Sequence, residues 1–147
     1  MPIKTKGKVY KTAVRPAMLY GSECWAMKKC HEQTLHVNEM KMLRWAGGVT
    51  RIDWISNEYI RGNFKVARIQ DKPLENRLRW YGHTQRRGMN YVVNIARNLP
   101  ETPRGRGRPK STWWSTIQKD LRTLNTTAET TQNREIWRKL TSRPDPT

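Results

Sequence analysis

The segment Arg104-Gly105-Arg106-Gly107-Arg108-Pro109-Lys110 limits what this chain can fold into more than any other. Four cations stand in seven residues, separated by glycine and proline, with no acidic residue among them. A packed core cannot bury such a run, and a helix does not tolerate it. An extended basic strip is the conformation left. The run closes a longer stretch, Pro100 to Lys110, with three prolines, two glycines and no apolar side chain. That composition marks a linker. It predicts three parts: residues 1–99, the linker 100–110, and a tail at 111–147.

Charge points the same way. The chain has 147 residues and a formal net charge of +17, from 29 Lys and Arg against 12 Asp and Glu. An excess of this size favours nucleic acid or another polyanion and opposes compaction by self-repulsion. It is concentrated at residues 76–110, which hold nine basic side chains and one acidic one. Six phosphate contacts from such a region would make affinity fall by roughly 10³ between low and moderate salt. Gly107-Arg108-Pro109, flanked by Arg106 and Lys110, resembles the AT-hook, a short peptide that lies in the minor groove of A·T-rich DNA.

The rest of the chain reads as helix. Hydrophobic residues make up 35%, low against the usual 45–50% or so. Seven tryptophans partly compensate, because each ring buries about 200 Å². Val9, Ala13, Ala17 and Tyr20 have helical spacing, with a kink or break near Arg15 where Pro16 removes a donor. Leu35, Met42 and Ala46 form the stripe of a helix from His31 to Ala46, widened by Met40, Leu43 and Trp45 and stopped by Gly47-Gly48. Ser56 caps a short helix ending at Gly62-Asn63. Asp71 starts a helix through Leu74, Leu78 and Tyr81, weakened at Gly82 by roughly 1 kcal/mol relative to alanine. Asn90 and Ser111 cap two further helices, and Asn133 to Leu140 forms a last short one. No segment alternates strictly, so no sheet is expected. The predicted fold class is all-α, several short helices loosely packed.

Catalytic groupings are missing from the sequence. A two-metal reaction needs clustered carboxylates, whereas Asp53, Asp71, Asp120 and Asp145 are isolated. Cys24, Cys30, His31 and His36 invite a zinc reading, but they crowd into one mostly helical segment and lack the wider separation zinc sites use. Packed thiols and surface histidines fit better. No metal, cofactor or small-molecule substrate is expected. Two cysteines, no export signal and no apolar run near 18 residues argue for an intracellular, non-membrane protein.

Binding chemistry is left. Arg77, Arg79, Arg86 and Arg87 share one predicted helix with Trp80, Tyr81 and His83. Arginines grip phosphates, and rings stack on unpaired bases. Trp80 is expected in the core beside Leu78. Of Trp113 and Trp114, one ring is expected on the apolar stripe of its helix.

Val9-Tyr10-Lys11-Thr12-Ala13-Val14-Arg15-Pro16-Ala17-Met18-Leu19-Tyr20-Gly21-Ser22-Glu23-Cys24-Trp25 resembles the thumb that follows the polymerase core in LINE-like, RTE-type retrotransposon reverse transcriptases. The resemblance continues through Met42-Leu43-Arg44-Trp45, Asn57-Glu58-Tyr59-Ile60-Arg61-Gly62, and Glu75-Asn76-Arg77-Leu78-Arg79-Trp80-Tyr81-Gly82-His83 with Arg86-Arg87. It ends in Arg106-Gly107-Arg108-Pro109-Lys110-Ser111-Thr112-Trp113-Trp114 and Trp137-Arg138 with Pro144-Asp145-Pro146. The endonuclease of that family and its Tyr/Phe-x-Asp-Asp motif are absent from the sequence. The resemblance therefore implies a C-terminal fragment without catalysis. It implies that Lys8, Lys11 and Arg15 lie near a template–primer duplex. It also implies that Arg77, Arg79, Arg86, Arg87, Arg104, Arg106, Arg108 and Lys110 meet RNA or DNA. The missing polymerase domain would be a further partner, and the nucleus the expected location. Two other readings stand beside it: an architectural protein using the AT-hook-like strip, and a genomic relic without a role.

Overall fold

The computed structural model describes residues 1–100, 105–107 and 110–146. All regular structure among them is helical, and no strand occurs. The chain forms two compact units. The first comprises Met1–Ser22, Lys28–Leu74 and Arg143–Thr147, the second Glu23–Met27 and Glu75–Ser142. The grouping differs from the three-part division expected from composition. Residues 75–99 pack with 111–142, because aromatic side chains from both stretches share one core. The basic linker lies largely outside the described residues.

The first unit opens with helix α1 (Ile3–Val9). Instead of breaking before Pro16, the chain runs on through a π-helical turn, Tyr10–Val14, into α2 (Arg15–Met18). The Arg15 amide donates to the Tyr10 carbonyl, five residues back. Widening the turn relieves the clash between a proline ring and the preceding turn of the helix. Helix α3 (Lys29–Gly47) ends at Gly48, whose φ of +68° is the left-handed cap the glycine pair predicts. Its deeply buried face is Glu39, Met40 and Leu43, while Leu35, Met42 and Ala46 are half-buried. Met40 and Leu43 are buried as the widened stripe predicts, whereas Trp45 is exposed and the charged Glu39, which no hydrophobic pattern marks, is buried beside them. Ser56 caps α4 (Asn57–Phe64), its Oγ accepting from the Tyr59 amide. The helix runs past Gly62-Asn63, so Phe64 reaches the core and Lys65 takes the left-handed cap.

Tyr10, Met40, Leu43, Ile60, Phe64 and Val66 form the core of this unit. Helix α1 crosses α4 so closely that a Cβ on Gly7 would sit 3.0 Å from the Phe64 carbonyl carbon and closer to its oxygen. Glu39 is fully buried. Its Oε1 accepts from Tyr10 Oη at 3.0 Å, and its Oε2 from Arg61 Nε at 3.1 Å and Nη2 at 3.0 Å. Arg61 Nη2 also lies 2.7 Å from His36 Nδ1. Burial pushes the Tyr10 phenol up, with Glu39 adding to it. Burial pushes the His36 imidazole down, and Arg61 adds to that.

Helix α5 (Asp71–Gln85) begins in the first unit and supplies the spine of the second. Leu78, Tyr81, Ile117 and Trp137 are buried there. Tyr81 is central: its ring centroid lies 6.4, 5.9 and 6.2 Å from those of Trp113, Trp114 and Trp137. These come from α7 (Trp113–Thr123) and α8 (Arg134–Thr141). The α7 cap is Thr112, one residue after the expected Ser111, and Asn133, expected as the first residue of the last helix, is the cap of α8. Trp137 Nε1 donates to the Leu78 carbonyl at 2.9 Å. A short helix α6 (Val92–Arg97) has no side-chain cap. Asn90 does not serve there. Asn94, inside α6, instead directs its Nδ2 to the Thr84, Arg87 and Gly88 carbonyls at 3.2, 3.2 and 3.1 Å. It thereby closes the end of α5.

Candidate nucleic-acid interface

In the second unit, α5 and α8 wall a cleft of about 830 Å³. The helical repeat of α5 places Arg79, Trp80, His83 and Arg86 along one side. Helix α8 adds Arg134 and Arg138, one turn apart. Trp80 is half-buried and not sunk in the core as expected. It stacks on His83 with ring centroids 5.3 Å apart and planes 15° from parallel. Leu78 is packed without it, beneath the Trp137 indole that donates to its carbonyl. That same indole, held in place by the bond, also lines the cleft.

Four guanidiniums line the cleft against the carboxylates of Glu23 and Glu75. Arg79 Nη2 pairs with Glu75 Oε1 at 2.7 Å, yet 71% of its side chain stays exposed. Arg86 is held by donating from Nη1 to the Thr131 carbonyl at 2.8 Å. A carbonyl leaves its charge uncompensated. Arg134 and Arg138 are exposed and make no ion pair among the described residues. The result is a concave, positively charged site with a flat aromatic pair inside it. That combination suits a phosphate-bearing, ring-bearing ligand.

Lys8 is exposed on α1, and Lys11 is half-buried in the π-helical turn. Arg87 is exposed, its guanidinium 5.8 Å from the Tyr91 ring centroid. Arg106 and Lys110 are exposed, while Arg104 and Arg108 lie outside the described residues.

Arg15, expected near a template–primer duplex, and Arg77, expected on RNA or DNA, are each paired with a carboxylate. Arg15 forms a two-pronged pair with Asp145, Nη1 to Oδ1 at 2.6 Å and Nη2 to Oδ2 at 2.7 Å. The Ala67 amide adds a third bond to Asp145 Oδ1 at 2.8 Å. Burial pushes the Asp145 carboxyl up, but the Arg15 and Ala67 donors outweigh it and hold it at about 2. Arg77 is buried, with Nε and Nη2 on Asp120 Oδ2 at 2.9 and 2.7 Å. Burial raises the Asp120 carboxyl even against that partner. Both arginines hold the fold together.

Cys24 and Cys30 are free, exposed thiols. His31 Nδ1 accepts from the Lys28 amide at 3.5 Å at the start of α3, and His36 meets Arg61. Among the described residues, no three His, Cys, Asp or Glu side chains group to hold a metal ion. No helix of the described residues is long and apolar enough to cross a membrane. No family model, curated protein or solved structure matches the chain.

The arginines of α8 were missed by sequence reasoning. Residues 111–147 hold six basic and four acidic side chains, and that near balance masked them. The signal was local: Arg134-x₃-Arg138 puts two cations on one face of a helix.

Proposed function

We propose that this chain is a nucleic-acid-binding C-terminal remnant of a LINE-like retrotransposon reverse transcriptase, acting in the nucleus without catalysis of its own. The observation that carries the binding half is the α5–α8 cleft, which four guanidiniums line together with the Trp80–His83 stack. A net charge of +17 supplies the long-range attraction. The family reading rests on the ordered run of motifs from Val9 to Pro146. The non-catalytic half rests on the sequence, which lacks an Asp-Asp pair.

Binding to labelled RNA, DNA and hybrid oligonucleotides across a salt series tests the first half. Log affinity is expected to fall linearly with log salt, by roughly 0.7–0.9 per phosphate neutralised. Absence of any complex in dilute buffer overturns the reading. Primer extension with Mg²⁺ or Mn²⁺ tests the second half, and any elongated product overturns it.

A further inference from the structure

We propose that the α5–α8 cleft receives an unpaired nucleotide of a single strand, its base extending the Trp80–His83 stack and its phosphates held by Arg134 and Arg138. This rests on the nucleic-acid reading above and narrows it to one site and one form of ligand.

Trp80 and His83 lie one turn apart on α5 and are already nearly parallel, so a third flat ring continues the same stack. Both line a concavity. A base inside a duplex is covered on both faces by its neighbours and cannot enter a cleft to reach a ring. Only a splayed or unpaired base can. The site therefore discriminates by strandedness and tolerates sequence, since every base has a π-face.

The cations sit where the backbone of such a nucleotide has to pass. Arg134 and Arg138 project from one face of α8 at a separation of about 5–6 Å between Cβ atoms, and they line the cleft that Trp80 lines. Neither is neutralised by a carboxylate among the described residues. On the opposite wall, Arg86 is positioned by the Thr131 carbonyl, which aligns it and leaves its charge available. Glu75 is the carboxylate nearest the Arg79 guanidinium and is occupied by it.

The test is fluorescence anisotropy with the full chain, using labelled oligouridylate, oligothymidylate and a blunt duplex of equal length. Variants are Trp80→Ala, Trp80→Tyr, the pair Arg134→Ala/Arg138→Ala, and a charge-matched control, Arg122→Ala/Lys139→Ala, whose residues are exposed and do not line the cleft. Thermal melts establish that each variant folds. The unmodified chain is expected to favour the single strands over the duplex by about tenfold or more. Trp80→Ala is expected to lose about tenfold on single strands, in the range of one stacked base, and Trp80→Tyr to restore most of it. The arginine pair is expected to lose about tenfold, and the control less than about threefold, at matched salt.

Equal loss in the control and the cleft pair overturns the site, as does unchanged single-strand binding by Trp80→Ala. If Trp80→Ala fails to fold, the arginine pair against its control decides. Equal affinity for duplex and single strand, with cleft variants unaffected, sinks this inference and leaves the nucleic-acid reading standing. Failure of the unmodified chain to bind any of the three sinks both.

Discussion

The Trp137 indole fills the space a side chain at position 82 would need. A Cβ built on Gly82 falls 2.6 Å from Cδ1 of that ring and closer still to Nε1. The indole cannot step aside freely, because it is buried and bonded to the Leu78 carbonyl. The glycine that weakens α5 as an isolated helix is what lets α8 approach it.

Gly82→Ala is therefore expected to destabilise the protein despite the better helix propensity of alanine. Overpacking costs about 1–3 kcal/mol and opposes a propensity gain of about 1 kcal/mol. Urea denaturation gives the sign. A raised midpoint would show that the indole has another place to go.

Gly7→Ala is expected to cost more. Its Cβ would meet the Phe64 backbone carbonyl and no movable side chain. Relief requires α1 to shift from α4, so about 3 kcal/mol or more is expected. A midpoint within about 0.5 kcal/mol of the unmodified protein would disprove the close crossing.

The Arg15–Asp145 pair gives a sign for acid sensitivity. The folded-state carboxyl sits at about 2, below its ordinary 3.8. A depressed carboxylate stabilises the fold above its unfolded value and loses that contribution as pH falls from about 4 to about 2. With a fifth of the Asp145 side chain exposed, about 1–2 kcal/mol is expected. Asp145→Asn should be less stable at pH 7, and most of the difference should be lost by about pH 2. A constant difference from pH 7 to pH 2 would contradict the pairing.

Glu39→Leu and Arg61→Leu are each expected to cost about 3–5 kcal/mol, because each strands a buried charge. Combining them removes both charges, and the double variant should recover a good part of that loss. Additive losses in a double-mutant cycle would show that the two side chains do not act on each other.

Asn94→Ala is expected to lower stability by about 1–3 kcal/mol, since three carbonyls at the end of α5 lose their common donor. Asn94→Asp should be no better, having no amide to donate. Thermal melts at neutral pH compare the two.

Local rules made much of the fold legible. Ser56 and Asn133 cap where a hydroxyl and an amide precede an apolar run, and Gly48 stops α3 in the left-handed region. Pairings over long separations were illegible. Arg15 finds Asp145 across 130 residues and Arg77 finds Asp120 across 43, and nothing near either arginine marks it as a structural cation. A basic residue facing phosphate and one facing a distant carboxylate look alike in a sequence. The cleft was half legible. The α5 arginines and Trp80 stand in one window, while Arg134 and Arg138 arrive from a helix begun 49 residues after Gln85.

The wide turn at Tyr10–Val14 holds one residue more than α geometry requires. Deleting a residue there would restore an unbroken α ladder and rotate everything before it by roughly 100° about the helix axis. Gly7 would swing off Phe64, and the Lys6 ammonium would leave the Ala46 carbonyl it reaches at 2.7 Å. A codon-sized deletion that improves the helix would thus dismantle the packing beside it, which makes spacing, and not side-chain identity, the property to preserve in this stretch.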